Sequence, residues 1–346
     1  MSRFMTVIRA LTAAVAMLLM MTATTSCVHE FPEIPDTRTV VLTVSHDMNW
    51  SYYDQVVSRD AGDASDYVVR YHFNITDPDD PSRVIRTETQ YSHDLTRADF
   101  VTTLDVPVGT YSVWVWSDLA YAGTGKSCNY DSSDMSQIVY TQPYSGNDDR
   151  RDAFRGMTTV TVEPSTDADL RCEGHIDLER PLAKYRFVAT DLREFVEREV
   201  SRNPHLSRNP GDTPVMTPVE IAPILAEYHV KVLYTGYMPS VFNNYINRPV
   251  DSDTGVMYEG DMQILSSDEA LLCFDYVKVN GHESSIPVRI EIYDKDDKLI
   301  SRTNPINVSI VRNRFTTVRG RFMTSMASGG VGINPDFDGE FNVEIR

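Results

Sequence analysis

Val106-Pro107-Val108-Gly109-Thr110-Tyr111-Ser112-Val113-Trp114-Val115-Trp116-Ser117-Asp118 decides the fold. Phe100, Leu104 and Val106 share one face of an extended run, and Pro107-Val108-Gly109 turns the chain back into Tyr111, Val113 and Val115. Alternation of this kind directs one face to a core and the other to solvent or a second layer. Trp114 and Trp116 lie opposite Val113 and Val115, so the returning strand is apolar on both faces. Such a strand is central and covered on both sides; the other reading exposes the tryptophans to stack on a sugar.

The same period recurs outward in both directions. Val40, Leu42 and Val44 alternate with smaller or polar residues, and Val69, Tyr71, Phe73 and Ile75 alternate with Arg70, His72 and Asn74. Further on, Val230, Val232 and Tyr234, then Leu272, Phe274 and Tyr276, then Val288, Ile290 and Ile292 repeat it, and the chain ends on Phe341, Val343 and Ile345. Turn-rich connections separate these runs, among them Asp77 to Ser82 and a long polar stretch from Gly123 to Asp149. Many short strands with such turns predict an all-β sandwich architecture. One short helix is expected after residue 190, with Asp191 and Glu194 as a capping box, Leu192, Phe195, Val196 and Val200 on its buried face, and Asn203-Pro204 as its stop.

Residues 1–26 read as a signal peptide: Arg3 and Arg9 precede the apolar run from Ala10 to Ala23, which is shorter than the roughly 20 residues of a membrane span. Thr24-Thr25-Ser26-Cys27 resembles a lipobox, which makes Cys27 a lipidation site and 27–38 a lipidated tether; a plain secretory signal with a chance cysteine is the alternative. Removing Arg3 and Arg9 with the leader takes the net charge from −18 to −20, which excludes nucleic-acid binding by phosphate neutralisation. The remaining 320 residues exceed one core, so two domains are expected, 39–180 and 181–346, divided where Arg180-Pro181 interrupts the pattern. Cys128, Cys172 and Cys273 match no zinc or redox spacing; a Cys128–Cys172 disulfide and three buried thiols are both compatible with the sequence.

Five stretches, in order, resemble the fimbrillin-like superfamily of Bacteroidetes surface lipoproteins, whose subunits build type V pili. They are the region ending at Cys27; Val106 to Asp118; Arg151-Asp-Ala-Phe-Arg-Gly156; Leu178-Glu-Arg-Pro-Leu-Ala-Lys-Tyr-Arg-Phe187; and the closing pair Val311 to Gly320 and Gly329 to Gly339. The Arg151 to Gly156 element points to an uncharacterised branch. The resemblance implies two tandem transthyretin-like β-sandwich domains, the helix lying in the second, on a lipidated precursor that assembles with other fimbrial subunits by β-strand addition. It also implies a cut after an arginine that frees the first strand. Arg59 and Arg38 bracket that strand, and Val40, Leu42, Val44, Phe341, Val343 and Ile345 become the strand-exchange elements. The chain lacks the early second cysteine and aspartate-rich pattern of the best-studied anchor subunits.

The expected role is therefore non-enzymatic: an anchor, tip or accessory subunit rather than a stalk, held at the outer membrane by lipid on Cys27 and exposed at the cell surface. No cofactor and no metal are expected. The eight histidines are dispersed with no His-Glu-x-x-His, the acidic turns Asp77–Asp80, Asp131–Asp134 and Asp294–Asp297 lack calcium-loop spacing, and no nucleophile motif stands out. The rival reading is a surface lipoprotein that binds a glycan or host ligand through aromatics of loops 119–150 and 236–248, namely Tyr121, Tyr130, Tyr140, Tyr144, Tyr237, Phe242 and Tyr245.

Overall fold

A computed structural model describes residues 37–46, 64–165, 171–206 and 217–324, and the backbone of 340–344. Its first nine strands are β1 (Thr37–His46), β2 (Tyr67–Thr76), β3 (Val84–Ser92), β4 (Asp99–Pro107), β5 (Gly109–Tyr121), β6 (Tyr130–Asp131), β7 (Ile138–Tyr140), β8 (Ala153–Val162) and β9 (Cys172–Leu178). Two sheets, ordered β4-β1-β9 and β3-β2-β5-β8, close on one core. The alternating residues read from the sequence fill it: Val40, Leu42, Val44, Phe73, Ile75, Val113 and Val115 are fully buried. Gly109, the first residue of β5, sits at φ 142°, a conformation that favours glycine and lets the hairpin reverse.

The rest of the chain forms β10 (Leu182–Ala189), α1 (Leu192–Arg202), α2 (Pro218–Leu225), β11 (Tyr228–Tyr234), β12 (Met238–Asn243), β13 (Arg248–Asp253), β14 (Met257–Gly260), β15 (Gln263–Ile264), β16 (Ala270–Lys278), β17 (Glu283–Asp294), β18 (Leu299–Arg302), β19 (Ile306–Val311), β20 (Phe315–Gly320) and β21 (Glu340–Glu344). Sheets β15-β16-β10-β20-β21 and β14-β11-β17-β18, with β19 also on β17, enclose the second core. The protein is thus all-β, built as tandem sandwiches. One arrangement repeats: β1 lies between antiparallel β4 and parallel β9, and β10 lies between antiparallel β16 and parallel β20.

Three local expectations change. Asp191 does start α1, but its carboxylate accepts from the Met323 and Thr324 amides (3.3 and 2.8 Å) instead of closing a capping box. A second helix, α2, opens on Thr217, whose N–H and hydroxyl both donate to Glu220 Oε2 at 3.0 and 2.9 Å. The polar stretch after Gly123 is not a solvated connection either. It supplies β6 and β7 to a third sheet, β13-β12-β7-β6, and Tyr130, Met135, Ile138 and Tyr140 are buried in the second core. That sheet covers the outer face of β5, so Trp114 packs edge-on to Tyr245 and Trp116 packs against Tyr130 and Phe242. The two-faced strand is covered on both sides.

Candidate functional site: a central first strand and a buried clasp

The first strand is held along both edges. It pairs with β4 from Thr37↔Pro107 to Ser45↔Asp99 and with β9 from Val40↔Cys172 to His46↔Leu178. Side chains on its outer face add Thr39 Oγ1→Asp105 Oδ1 (2.9 Å) and Ser45 Oγ→Asp99 Oδ1 (2.7 Å). At its end the His46 ring sits edge-on to Tyr71 and Phe154, with Nδ1 3.3 Å from the Ala98 carbonyl. Burial, with Arg180 acting the same way, pushes this imidazole down to about 4 against the hydrogen bond from the ring and Asp99. Arg38 lies inside β1, opposite Val106. Cys27, Arg59 and Ile345 lie outside the described residues.

The outer edges of this three-stranded sheet are unequal. On β4, the carbonyls of Thr103 and Asp105 accept from Gln90 Nε2 (3.2 Å) and Arg86 Nη1 (3.1 Å), and the Thr102 hydroxyl donates to Gln90. Side chains of β3 therefore occupy backbone acceptors that another strand would use. On β9, no strand lies on the outer edge among the described residues. In the second half the matching edge of β20 carries β21, with Val318↔Phe341 and Thr316↔Val343 in register.

The two central sequence motifs meet in a buried charge network. Arg151, the first residue of the Arg151 to Gly156 element, pairs with Asp275 Oδ1 at 2.9 Å and lies over the rings of Tyr140 and Tyr144 at 4.4 and 4.2 Å. Asp275 also accepts from the Tyr144 and Tyr234 hydroxyls at 2.6 and 2.5 Å. Burial raises this carboxyl above its ordinary range, while Arg151 and the two phenols pull it back. Arg180 forks onto Asp152 at 2.7 and 2.8 Å, and Lys184 meets Asp149 at 2.5 Å. Arg155 Nε and Nη2 both donate to Asn244, at 3.1 Å. Gly156 closes the element because a Cβ there would meet Ile176 Cγ2 at 2.5 Å and the Asp177 carbonyl at 2.9 Å, where β8 crosses β9. None of these partners is adjacent in sequence, so sequence reasoning identified the motifs without their contacts.

The candidate sugar-stacking aromatics are mostly interior. Tyr130, Tyr140 and Phe242 are buried, Tyr144 and Tyr245 are half-buried, and only Tyr121 and Tyr237 of the seven are exposed. The acidic turns satisfy themselves: Asp80, Asp131 and Asp134 each accept from the amide and hydroxyl of the serine two residues on. Cys128, Cys172 and Cys273 are free thiols, the last buried and the other two half-buried. Among the described residues no group of His, Cys, Asp and Glu could hold a metal ion, and no helix is long and apolar enough to cross a membrane.

Comparison with solved structures finds overlap at low identity. A proposed adhesin from Bacteroides thetaiotaomicron is 14% identical, with 81% of each chain covered and a TM-score of 0.44. The fimbrial anchor protein Mfa2 from Porphyromonas gingivalis is 12% identical, covering 82% of this chain and 90% of its own, at 0.41. The tip fimbrial protein Mfa3 from the same organism, with a C-terminal truncation, is 9% identical, covering 82% and 94%, at 0.38. No curated protein matches the chain. Residues 34–346 match a family of unknown function, DUF6562, and the chain belongs to that family.

Proposed function

We infer that this protein is a fimbrial subunit or fimbrillin-like surface lipoprotein that works by structure and not by chemistry, its strands being the means of assembly. The observation that carries the reading is the position of β1: a central strand, paired on both edges, with residues 47–63 as its only covalent continuation into the body. A cut after Arg59 leaves β1 with no peptide link to its own sheet. Withdrawal of β1 would open a lane between β4 and β9 beside Leu104, Val106, Ile176 and Leu178, ready for a strand of another subunit. With β1 in place the lane is filled from within, as suits an anchor, tip or accessory subunit and not a stalk. In this reading Cys27 carries the lipid that holds the chain at the outer membrane, stably because a diacylated cysteine supplies two chains. In this reading the two units divide near residue 180, with residues 130–153 crossing into the second core, and β21, with Phe341 and Val343, is the second strand available for exchange.

N-terminal sequencing and intact mass of the protein from its own cell surface test this directly. A lipidated Cys27 on a chain retaining β1 is the expected result. Deleting residues 37–59 should convert a monomer into strand-exchanged polymers, visible by sedimentation. A truncated chain that folds and stays monomeric at high concentration overturns the assembly reading.

A further inference from the structure

One buried charge pair of the clasp differs from its neighbours in chemistry. In Arg70–Asp118, Arg151–Asp275 and Arg180–Asp152 the cation is a guanidinium, always charged and no nucleophile toward a carboxyl group. In Lys184–Asp149 it is a primary amine, with Nζ 2.5 Å from Oδ1 and side chains only 6% and 5% exposed. Rings of Phe274, Tyr276 and Phe315 stand 4.7, 4.9 and 5.5 Å from that nitrogen. Tyr276, which faces Lys184 across the β10–β16 ladder, donates its hydroxyl to the same Asp149 oxygen at 3.0 Å. The Arg180 guanidinium close by already has both carboxylate oxygens of Asp152.

We propose that Lys184 and Asp149 condense to an intramolecular amide, a covalent bond that ties β10 to the turn preceding β8. Separated charges are costly in so dry a place, and passing one proton from Nζ to the carboxyl gives a neutral amine facing a neutral acid. Those are the reactants of amide formation, already in contact and shielded from competing water, where positioning alone is worth effective molarities of about 10⁵ M or more. The lone pair of Nζ attacks Cγ while the transferred proton rides on Oδ2, and the Tyr276 hydroxyl stabilises the charge that gathers on Oδ1. The C–N bond forms, the C–OH bond breaks, and the surplus proton on nitrogen leaves with the hydroxyl as water. No oxidant and no second reagent enter. The product holds the two segments together with no ionic charge left in the aromatic box.

The test is the intact mass of the purified full chain, denatured, with its N-terminus sequenced first. The unmodified sequence mass reduced by one water is expected, together with a branched proteolytic peptide containing both Asp149 and Lys184. Lys184→Arg keeps a cation there and should restore the full mass with no branched peptide. Wild-type protein at full mass after prolonged incubation in the folded state overturns the proposal, leaving an ion pair. A water loss that persists in Lys184→Arg, or that maps to another peptide, overturns it as well.

Discussion

His46 shows how one residue couples the first strand to acidity. Its ring is held neutral by burial, at about 4, against an ordinary value of 6.5. A histidine depressed in the folded state contributes fully above about pH 6.5, and the contribution is lost as pH falls toward 4, because only the unfolded chain takes up the proton readily. The difference amounts to about 3 kcal/mol at the acid end. Denaturant unfolding at pH 7 and pH 4.5 should show this loss in wild type. His46→Phe, which keeps an aromatic against Tyr71 and Phe154, should flatten the part of the slope due to position 46. His72, also depressed to about 4 by burial, with Arg70 acting the same way, adds a slope of the same sign. Neither property was legible in sequence, because Ala98 lies 52 residues from His46 and the rings around it come from other strands.

At the scale of elements, the strands were readable and the edges were not. Alternation at Val40, Leu42 and Val44 fixes which side of β1 is buried, since the side-chain period of a strand is two. It says nothing about neighbours, and the closing of the β4 edge depends on Arg86 and Gln90, polar residues of a half-exposed strand with no distinguishing pattern. Replacing both by alanine frees the Thr103 and Asp105 carbonyls, so the double variant should self-associate with rising concentration while wild type with β1 in place does not. Analytical ultracentrifugation distinguishes the two. The helices illustrate the same limit. Asp191 and Glu194 have the spacing of a capping box, yet tertiary amides at Met323 and Thr324 take the Asp191 carboxylate. Thr217 and Glu220 share that spacing, but Pro218 and Pro223 disguise α2 as loop. Proline at the first helical position is in fact well tolerated, because its missing N–H has no partner to lose there.

For the whole molecule, the strand pattern breaks once, at Arg180-Pro181, whereas packing carries residues across that break and holds the two cores together. Residues 130–153 belong by chain order to the first half and by burial to the second core. Arg151 is the centre of that crossing. Arg151→Met leaves Asp275 buried without its cation, which costs about 3–5 kcal/mol for a pair of this kind. Calorimetry should record one cooperative transition for wild type and two for the variant, since the cores would then melt apart. A single transition in both proteins would mean that the third sheet alone couples them. The motifs that support the family resemblance thus serve the junction: Arg151 and Asp152 from one side, Arg180 and Lys184 from the other.

The chain has three tryptophans, and two of them, Trp114 and Trp116, sit at this junction against Tyr245, Tyr130 and Phe242. The protein therefore carries its own optical gauge. Parting the halves would admit water to both indoles and shift their emission to longer wavelength, so their separation could be followed as a colour change without attaching any dye.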